Sequence, residues 1–157
     1  MKTGVIIIID KSEELPSEDQ LIFILKRDKS IRYCLLDKKD NYFLSEYFSS
    51  ISQQCDNVNI VNIRKKNSKS LALKAGTRFM HNISNFTMLC HITQQKKIDI
   101  IDLLDFFVTN KNEIVFKHLA DLRAYKNKPS FVQKLLSVNL NLKLKEFNYS
   151  VNTSTVF

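Results

Sequence analysis

Val5-Ile6-Ile7-Ile8-Ile9 is a run of five β-branched residues closed by Asp10, and it constrains the fold more than any other stretch. A strand with one wet face alternates apolar and polar side chains. An unbroken apolar run belongs to a strand covered on both faces, which points to a parallel sheet held between helices. The rest of the chain keeps to that pattern. Ser17-Glu18-Asp19-Gln20 has the form of a capping box, and Leu21, Ile22, Ile24 and Leu25 follow it, predicting a helix over 17–27. A second strand is expected over 31–36 (IRYCLL), ended by the polar Asp37-Lys38-Lys39-Asp40-Asn41. Phe43, Leu44, Tyr47, Phe48 and Ile51 fall at helical spacing, and the β-branched content of 58–63 (VNIVNI) predicts a third strand. Leu71, Ala75 and Phe79 make one stripe of a helix over 70–81. A strand over 86–92 and a helix over 99–108, built on Ile100, Ile101, Leu104 and Phe107, come next. A short fifth strand is predicted over 113–118 and a helical segment over 130–144. Four strand–helix repeats with short links predict a three-layer α/β/α fold, a mostly parallel sheet with helices on both faces. No internal repeat or linker interrupts residues 1–157, so a single domain is expected.

Composition removes several function classes. Gly4 and Gly76 are the only glycines, so neither a P-loop nor a dinucleotide-binding GxGxxG is present, since both need backbone without Cβ. Cys34, Cys55 and Cys90 are scattered with no CxxC spacing. They read as small buried hydrophobes in a reducing, cytoplasmic setting rather than as a disulfide framework. No apolar run approaches the roughly 20 residues of a membrane-spanning helix. The Val5–Ile9 run lacks the cleavage site of a signal peptide. The net charge of +8 is concentrated: residues 57–98 carry eight basic and no acidic side chains, centred on Arg64, Lys65, Lys66, Lys69, Lys74 and Arg78. Such a patch favours an anionic partner, whether a phosphate group, nucleic acid or an acidic membrane surface; a solvated helix face accounts for the charge equally well.

Ligands of parallel α/β sheets sit at the carboxyl ends of the strands. Those ends carry Asp10-Lys11-Ser12, Asp37-Lys38-Lys39-Asp40, Arg64-Lys65-Lys66-Asn67 and His91-Ile92-Thr93. Asp37 and Asp40 can accept hydrogen bonds from a base or ribose, or shape a turn through their own backbone. Asn67-Ser68-Lys69-Ser70 opens a helix, where free N–H groups and lysines make an anion site, and where Ser68 or Ser70 serves more plainly as a cap. His91 stands beside Cys90, but no second ligand lies at a recognised spacing and no carboxylate occurs between Asp56 and Asp99, so an ordinary hydrogen-bonding histidine is expected. His81 and His118 are isolated, and Asp99, Asp102 and Asp105 mark the polar face of a helix. There is no GxSxG, no HExxH and no carboxylate pair with acid–base spacing. These features point to a binding scaffold rather than a catalyst.

Asn67-Ser68-Lys69-Ser70-Leu71-Ala72-Leu73-Lys74-Ala75-Gly76 resembles the third-helix motif of family 2 glycosyltransferases, N-x-G-K-G-x-A-L-x-x-G, with serine in place of both early glycines. The Val5–Ile9 run with Asp10-Lys11-Ser12-Glu13-Glu14 is similar to that family's first strand and loop. Leu35-Leu36-Asp37 is similar to its second strand, which ends in an Asp pair holding the nucleotide; Lys38 stands at the second Asp. Gln94 with 98–107 looks like the segment after the metal motif, and 134–141 (KLLSVNLN) looks like a late helix. Over nearly its whole length the chain thus resembles the nucleotide-sugar-binding half of these GT-A enzymes, most of all the polyprenyl- or dolichyl-phosphate sugar transferases.

The resemblance implies a nucleotide or nucleotide sugar as ligand, with Asp10, Asp37, Lys66 and Lys69 as its contacts. It also implies where activity fails. The family's fourth strand ends in Asp-x-Asp, which binds the Mg²⁺ or Mn²⁺ bridging the donor diphosphate; the aligned positions are Cys90, His91 and Ile92. These supply no oxygen ligand, so no divalent metal and no other cofactor is expected. The leaving nucleoside diphosphate then lacks a charge neutraliser worth several kcal/mol. The expectation is a degenerate glycosyltransferase-like pseudoenzyme, a binding or regulatory partner of another glycosyltransferase chain. Two alternatives stand beside it. One is an active transferase, metal-independent or completed by a partner chain. The other is a basic nucleic-acid-binding module, ranked last because no helix-turn-helix or RNP-type aromatic motif occurs. A cytoplasmic setting fits, with the basic patch allowing peripheral attachment at the inner membrane face.

Overall fold

The β-branched run becomes the central strand of the sheet. A computed structural model describes residues 2–9, 15–64, 68–94, 98–124 and 135–138. In chain order these form β1 (Thr3–Ile8), α1 (Glu18–Lys26), β2 (Ile31–Asp37), α2 (Tyr42–Gln54), β3 (Val58–Asn62), α3 (Lys69–Ile83), β4 (Met88–Thr93), α4 (Ile100–Ala124) and β5 (Leu136–Ser137). The sheet has five strands, all parallel, in the order β3-β2-β1-β4-β5. The direction of winding reverses between β1 and β4, and Ile6 lies between Cys34 on β2 and His91 on β4. Every residue of β1 is buried, as an unalternating run requires.

Successive side chains leave a strand on opposite faces, which divides the core in two. Val5 and Ile7, with Tyr33, Leu35, Cys90 and Ile92, pack beneath α1, α2 and α4 through Leu21, Leu25, Phe48, Ile51, Leu104 and Phe107. Ile6 and Ile8, with Cys34, Leu36 and Leu89, pack beneath α3 through Ala72, Leu73 and Met80. The architecture is a three-layer α/β/α sandwich with unequal layers. Gly76 lets α3 lie close to the sheet: a Cβ there would stand 3.0 Å from Leu36 Cδ2 and 3.3 Å from Ile6 Cγ2.

Right-handed crossovers would place the helix after β4 on the same face as α3. Instead α4 joins α1, held by Arg27, which donates to the Asp105 carboxylate and to Thr109 Oγ1. Among the described residues α3 is therefore alone on its face.

Two expected elements differ. The predicted strand over 113–118 is the middle of α4, which runs unbroken to Ala124. Phe107, Lys111, Ile114 and Val115 continue one buried helical stripe, and the β-branched pair Ile114-Val115 follows it at helical spacing. Lys111 hides that stripe because it is a lysine at a core position. It is buried by donating to the Asp28 carboxylate and to Ser30 Oγ at 2.7 Å, so its charge is paired. The second difference lies in the segment 130–144, expected as a helix: Leu136–Ser137 is an edge strand, register-matched to Cys90 and His91 of β4. Residues 130–134 and 139–144 fall outside the described part.

The predicted capping box also differs. Ser17 occupies the N-cap of α1 but makes no side-chain cap, while Glu18 accepts from Ser50 Oγ and Gln54 Nε2 of α2. Asn41 and Ser68 do cap, accepting from the Leu44 and Leu71 amides. Among the described residues no helix is long and apolar enough to cross a membrane.

Candidate functional site

The carboxyl ends of β1–β4 form one rim, and Asp37, Asp40 and Lys69 lie along it. Asp37 closes β2 and is 2% exposed. Its Oδ1 accepts from the Lys39 amide at 2.9 Å and from Ser45 Oγ at 3.1 Å, and its Oδ2 stands 3.4 Å from Lys39 Nζ. Lys39 has φ 56°, a left-handed conformation that a lysine adopts only when the surroundings hold it. Asp37 is therefore first a turn builder: its carboxylate stabilises the strained residue two positions on. Asp40, with Lys38, Ile9 and Leu44, lines a cavity of about 70 Å³ at the ends of β1 and β2. That volume holds about two waters.

Lys69 is the first residue of α3 and is exposed. The Ser68 hydroxyl satisfies one amide of the first turn, and the remaining first-turn amides have no intrahelical partner, as at any helix start. Positive dipole end and ammonium thus coincide at the rim. Asp10 and Lys66, the other two expected contacts, lie outside the described residues.

Cys90, His91 and Ile92 do not converge. They lie inside β4, short of its last residue Thr93, and they alternate across the sheet. Cys90 and Ile92 are fully buried in the core beneath α1, α2 and α4. Burial pushes the Cys90 thiol far above its ordinary range, so it is neither a thiolate ligand nor a nucleophile. His91 points to the α3 face, opposite Ile6 and Ser137 in the register of neighbouring strands. Burial, reinforced by the Lys69 ammonium, pushes its imidazole down to about 4. His91 is neutral at physiological pH and can offer either a donor or an acceptor. Its Nδ1 is buried and has no hydrogen-bond partner among the described residues. An Mg²⁺ or Mn²⁺ ion does not fit this donor set: one neutral nitrogen faces one side, and a thiol and a hydrocarbon face the other. Among the described residues no group of three His, Cys, Asp or Glu side chains could hold a metal ion.

The structure thus brings Lys69 and His91 into electrostatic contact on the α3 face, and gathers Asp37 and Asp40 at the β2–α2 turn. Ser45, the second donor to Asp37, has no signal in the sequence because it lies eight residues on in a helix. The left-handed Lys39 could have been read from the Asp37-Lys38-Lys39 spacing of an Asx turn. Of the basic surplus, Arg64, Lys69, Lys74 and Arg78 are exposed, with Lys74 and Arg78 one turn apart on the outside of α3. No family model matches this chain, and no curated protein matches it.

Proposed function

We propose that this chain is a degenerate glycosyltransferase-like protein that recognises a nucleotide or nucleotide sugar at the carboxyl-end rim without metal-dependent transfer. In this role it is a binding or regulatory partner, for example of an active transferase chain. The observation that carries the proposal is the division of β4. Cys90 and Ile92 are sealed in the core while neutral His91 looks out beside Lys69. Such a rim can neutralise a phosphate through Lys69 and the start of α3, and it offers His91 as a hydrogen-bonding group. β4 itself supplies no carboxylate with which to hold a bridging cation.

Isothermal titration calorimetry with UDP, GDP and their sugars, with Mn²⁺ or with EDTA, tests this. Binding unaffected by the metal is expected, and Lys69→Glu should weaken it by about tenfold or more, since a charged hydrogen bond contributes about 1.5–3 kcal/mol. Silence toward every nucleotide removes the proposal. Sugar transfer or donor hydrolysis that needs Mn²⁺ overturns its non-catalytic half. A second reading, attachment to an anionic membrane surface, is favoured by the exposed Lys74 and Arg78 on the outside of α3. Sedimentation with anionic but not neutral vesicles, lost on Lys74→Glu with Arg78→Glu, is its expected outcome.

A further inference from the structure

A cavity of about 410 Å³ opens between α1 and α4, on the face of the sheet opposite α3. The two helices follow parallel strands, so they run side by side in the same direction, with Asp19 and Asp102 in their first turns. One end of the cleft is closed by Arg27, which donates to the Asp105 carboxylate and to Thr109 Oγ1 and so ties α1 to α4 across the gap. Ile24 and Ile101 line the cleft on its core side, the first buried and the second packed against the buried cluster. Phe23 is different. Leu21, Ile22, Ile24 and Leu25 around it all enter the core, while Phe23 lines the cleft and is 69% exposed.

Size and charge select what this cleft can hold. Its volume lies within the range of small-molecule sites, about 300–1,000 Å³. A partner helix laid along it would ride over the Arg27–Asp105 bridge and be lifted off the apolar floor. Of the charged side chains in the lining, Arg27 is spent on Asp105, whereas Asp19 and Asp102 have no partner among the described residues. The helix dipole favours a carboxylate in the first turn, so neither needs a basic neighbour to be stable there. The lining thus keeps two uncompensated carboxylates on a chain whose net charge is +8. An anion is repelled, and a neutral ligand strips water from the carboxylates without replacing it. A cation replaces that water with charged hydrogen bonds and can also lie against the Phe23 ring.

We propose that the cleft between α1 and α4 is a binding site for a small organic cation, a primary ammonium or guanidinium carried on an apolar body. The body lies over Ile24 and Ile101 against Phe23, and the charged head meets Asp19 and Asp102. Lys69 and His91 belong to the opposite face of the sheet, so this site stands or falls independently of the nucleotide reading of the rim.

NMR titration of the full chain with a charge series tests the proposal. Phenethylamine carries both the cation and the apolar body, phenethyl alcohol the body alone, methylamine the cation alone, and phenylacetate the opposite charge. Saturable shifts of the Phe23, Ile24 and Ile101 amides are expected with phenethylamine, at about millimolar affinity for so small a ligand. Phenethyl alcohol should bind about tenfold more weakly, having lost two exposed charge contacts, and methylamine and phenylacetate should give no saturable shift. Asp19→Asn together with Asp102→Asn should weaken phenethylamine about tenfold, and Phe23→Ala about fivefold. All three positions are exposed, so these variants leave the core intact, and the charge series on the wild-type chain needs no variant. A basic amphipathic helical peptide should not displace the amine. No saturable shift with phenethylamine, equal affinity for the alcohol, affinity unchanged by the two Asn substitutions, or displacement by the peptide would each overturn the proposal.

Discussion

Replacing His91 by leucine isolates a histidine whose titration the fold holds away from its ordinary value. In the unfolded chain the imidazole has its usual value of 6.5; in the folded chain burial, with the Lys69 ammonium, lowers it to about 4. The sign follows from linkage. Above pH 6.5 the imidazole is neutral in both states and costs nothing. As pH falls below that value the unfolded chain takes up the proton first, so folding loses stability, and the loss levels off once pH drops through about 4. At about 1.4 kcal/mol per unit, the part lost between about pH 7.5 and pH 4.5 is roughly 2.5 kcal/mol. Paired carboxylates also contribute to acid sensitivity, so the informative quantity is a difference of differences. Urea unfolding of wild type and His91→Leu at the two pH values should show the variant losing about 2.5 kcal/mol less than wild type on acidification. At the higher pH the variant should be close to wild type, since leucine also removes a buried nitrogen that lacks a partner among the described residues. Equal losses in the two proteins, or an imidazole that titrates by NMR near 6.5, would refute the reasoning.

Two further perturbations address the parts of the fold that support the rim. Asp28→Ala leaves the Lys111 ammonium buried with the Ser30 hydroxyl and should cost about 3 kcal/mol, whereas Lys111→Met keeps the packed stem and should cost no more than about 1 kcal/mol; equal costs in chemical denaturation would contradict the pairing. Asp37→Ala removes the acceptor of two hydrogen bonds and releases the left-handed Lys39, so about 2 kcal/mol should be lost; Asp37→Asn, which keeps Oδ1 as an acceptor, should lose less than half of that, again by denaturant midpoint.

The parallel, two-face-covered sheet was legible because it rests on a short-range signal, the unalternating Val5–Ile9 run, and on strand–helix alternation that repeats four times. What was not legible depends on partners distant in sequence. Lys111 breaks the apolar stripe of α4 on paper, and only Asp28, 83 residues away, makes a lysine tolerable there; the second half of the helix was lost with it. Ser17 and Gln20 carry the letters of a capping box, yet the neighbouring Glu18 is drawn to α2 and Ser17 is left without a side-chain cap. A two-residue strand at Leu136–Ser137 gives periodicity too little length to register, and it forms because β4 offers a free edge. At the rim, the sequence allowed Asp37 either to meet a ligand or to build a turn. The geometry gives it the second task and leaves Oδ2 facing Lys39.

The sidedness of β4 connects the layer imbalance to the chemistry of the rim. Because α4 crosses to the α1 face, the α3 face has one described helix over a five-stranded sheet, and α3 packs on β1, β2 and β3. His91 is consequently only half covered, beside the Lys69 ammonium that helps to keep it neutral. A cation seated in that position would meet Lys69 and find no carboxylate on β4. An anion would offset Lys69 and draw a proton to the imidazole, so its binding and the His91 titration are thermodynamically linked. If the rim receives the phosphate of a nucleotide, that ligand must raise the His91 value from about 4. The same unequal layering that leaves a histidine only partly covered therefore selects the sign of the charge it can meet.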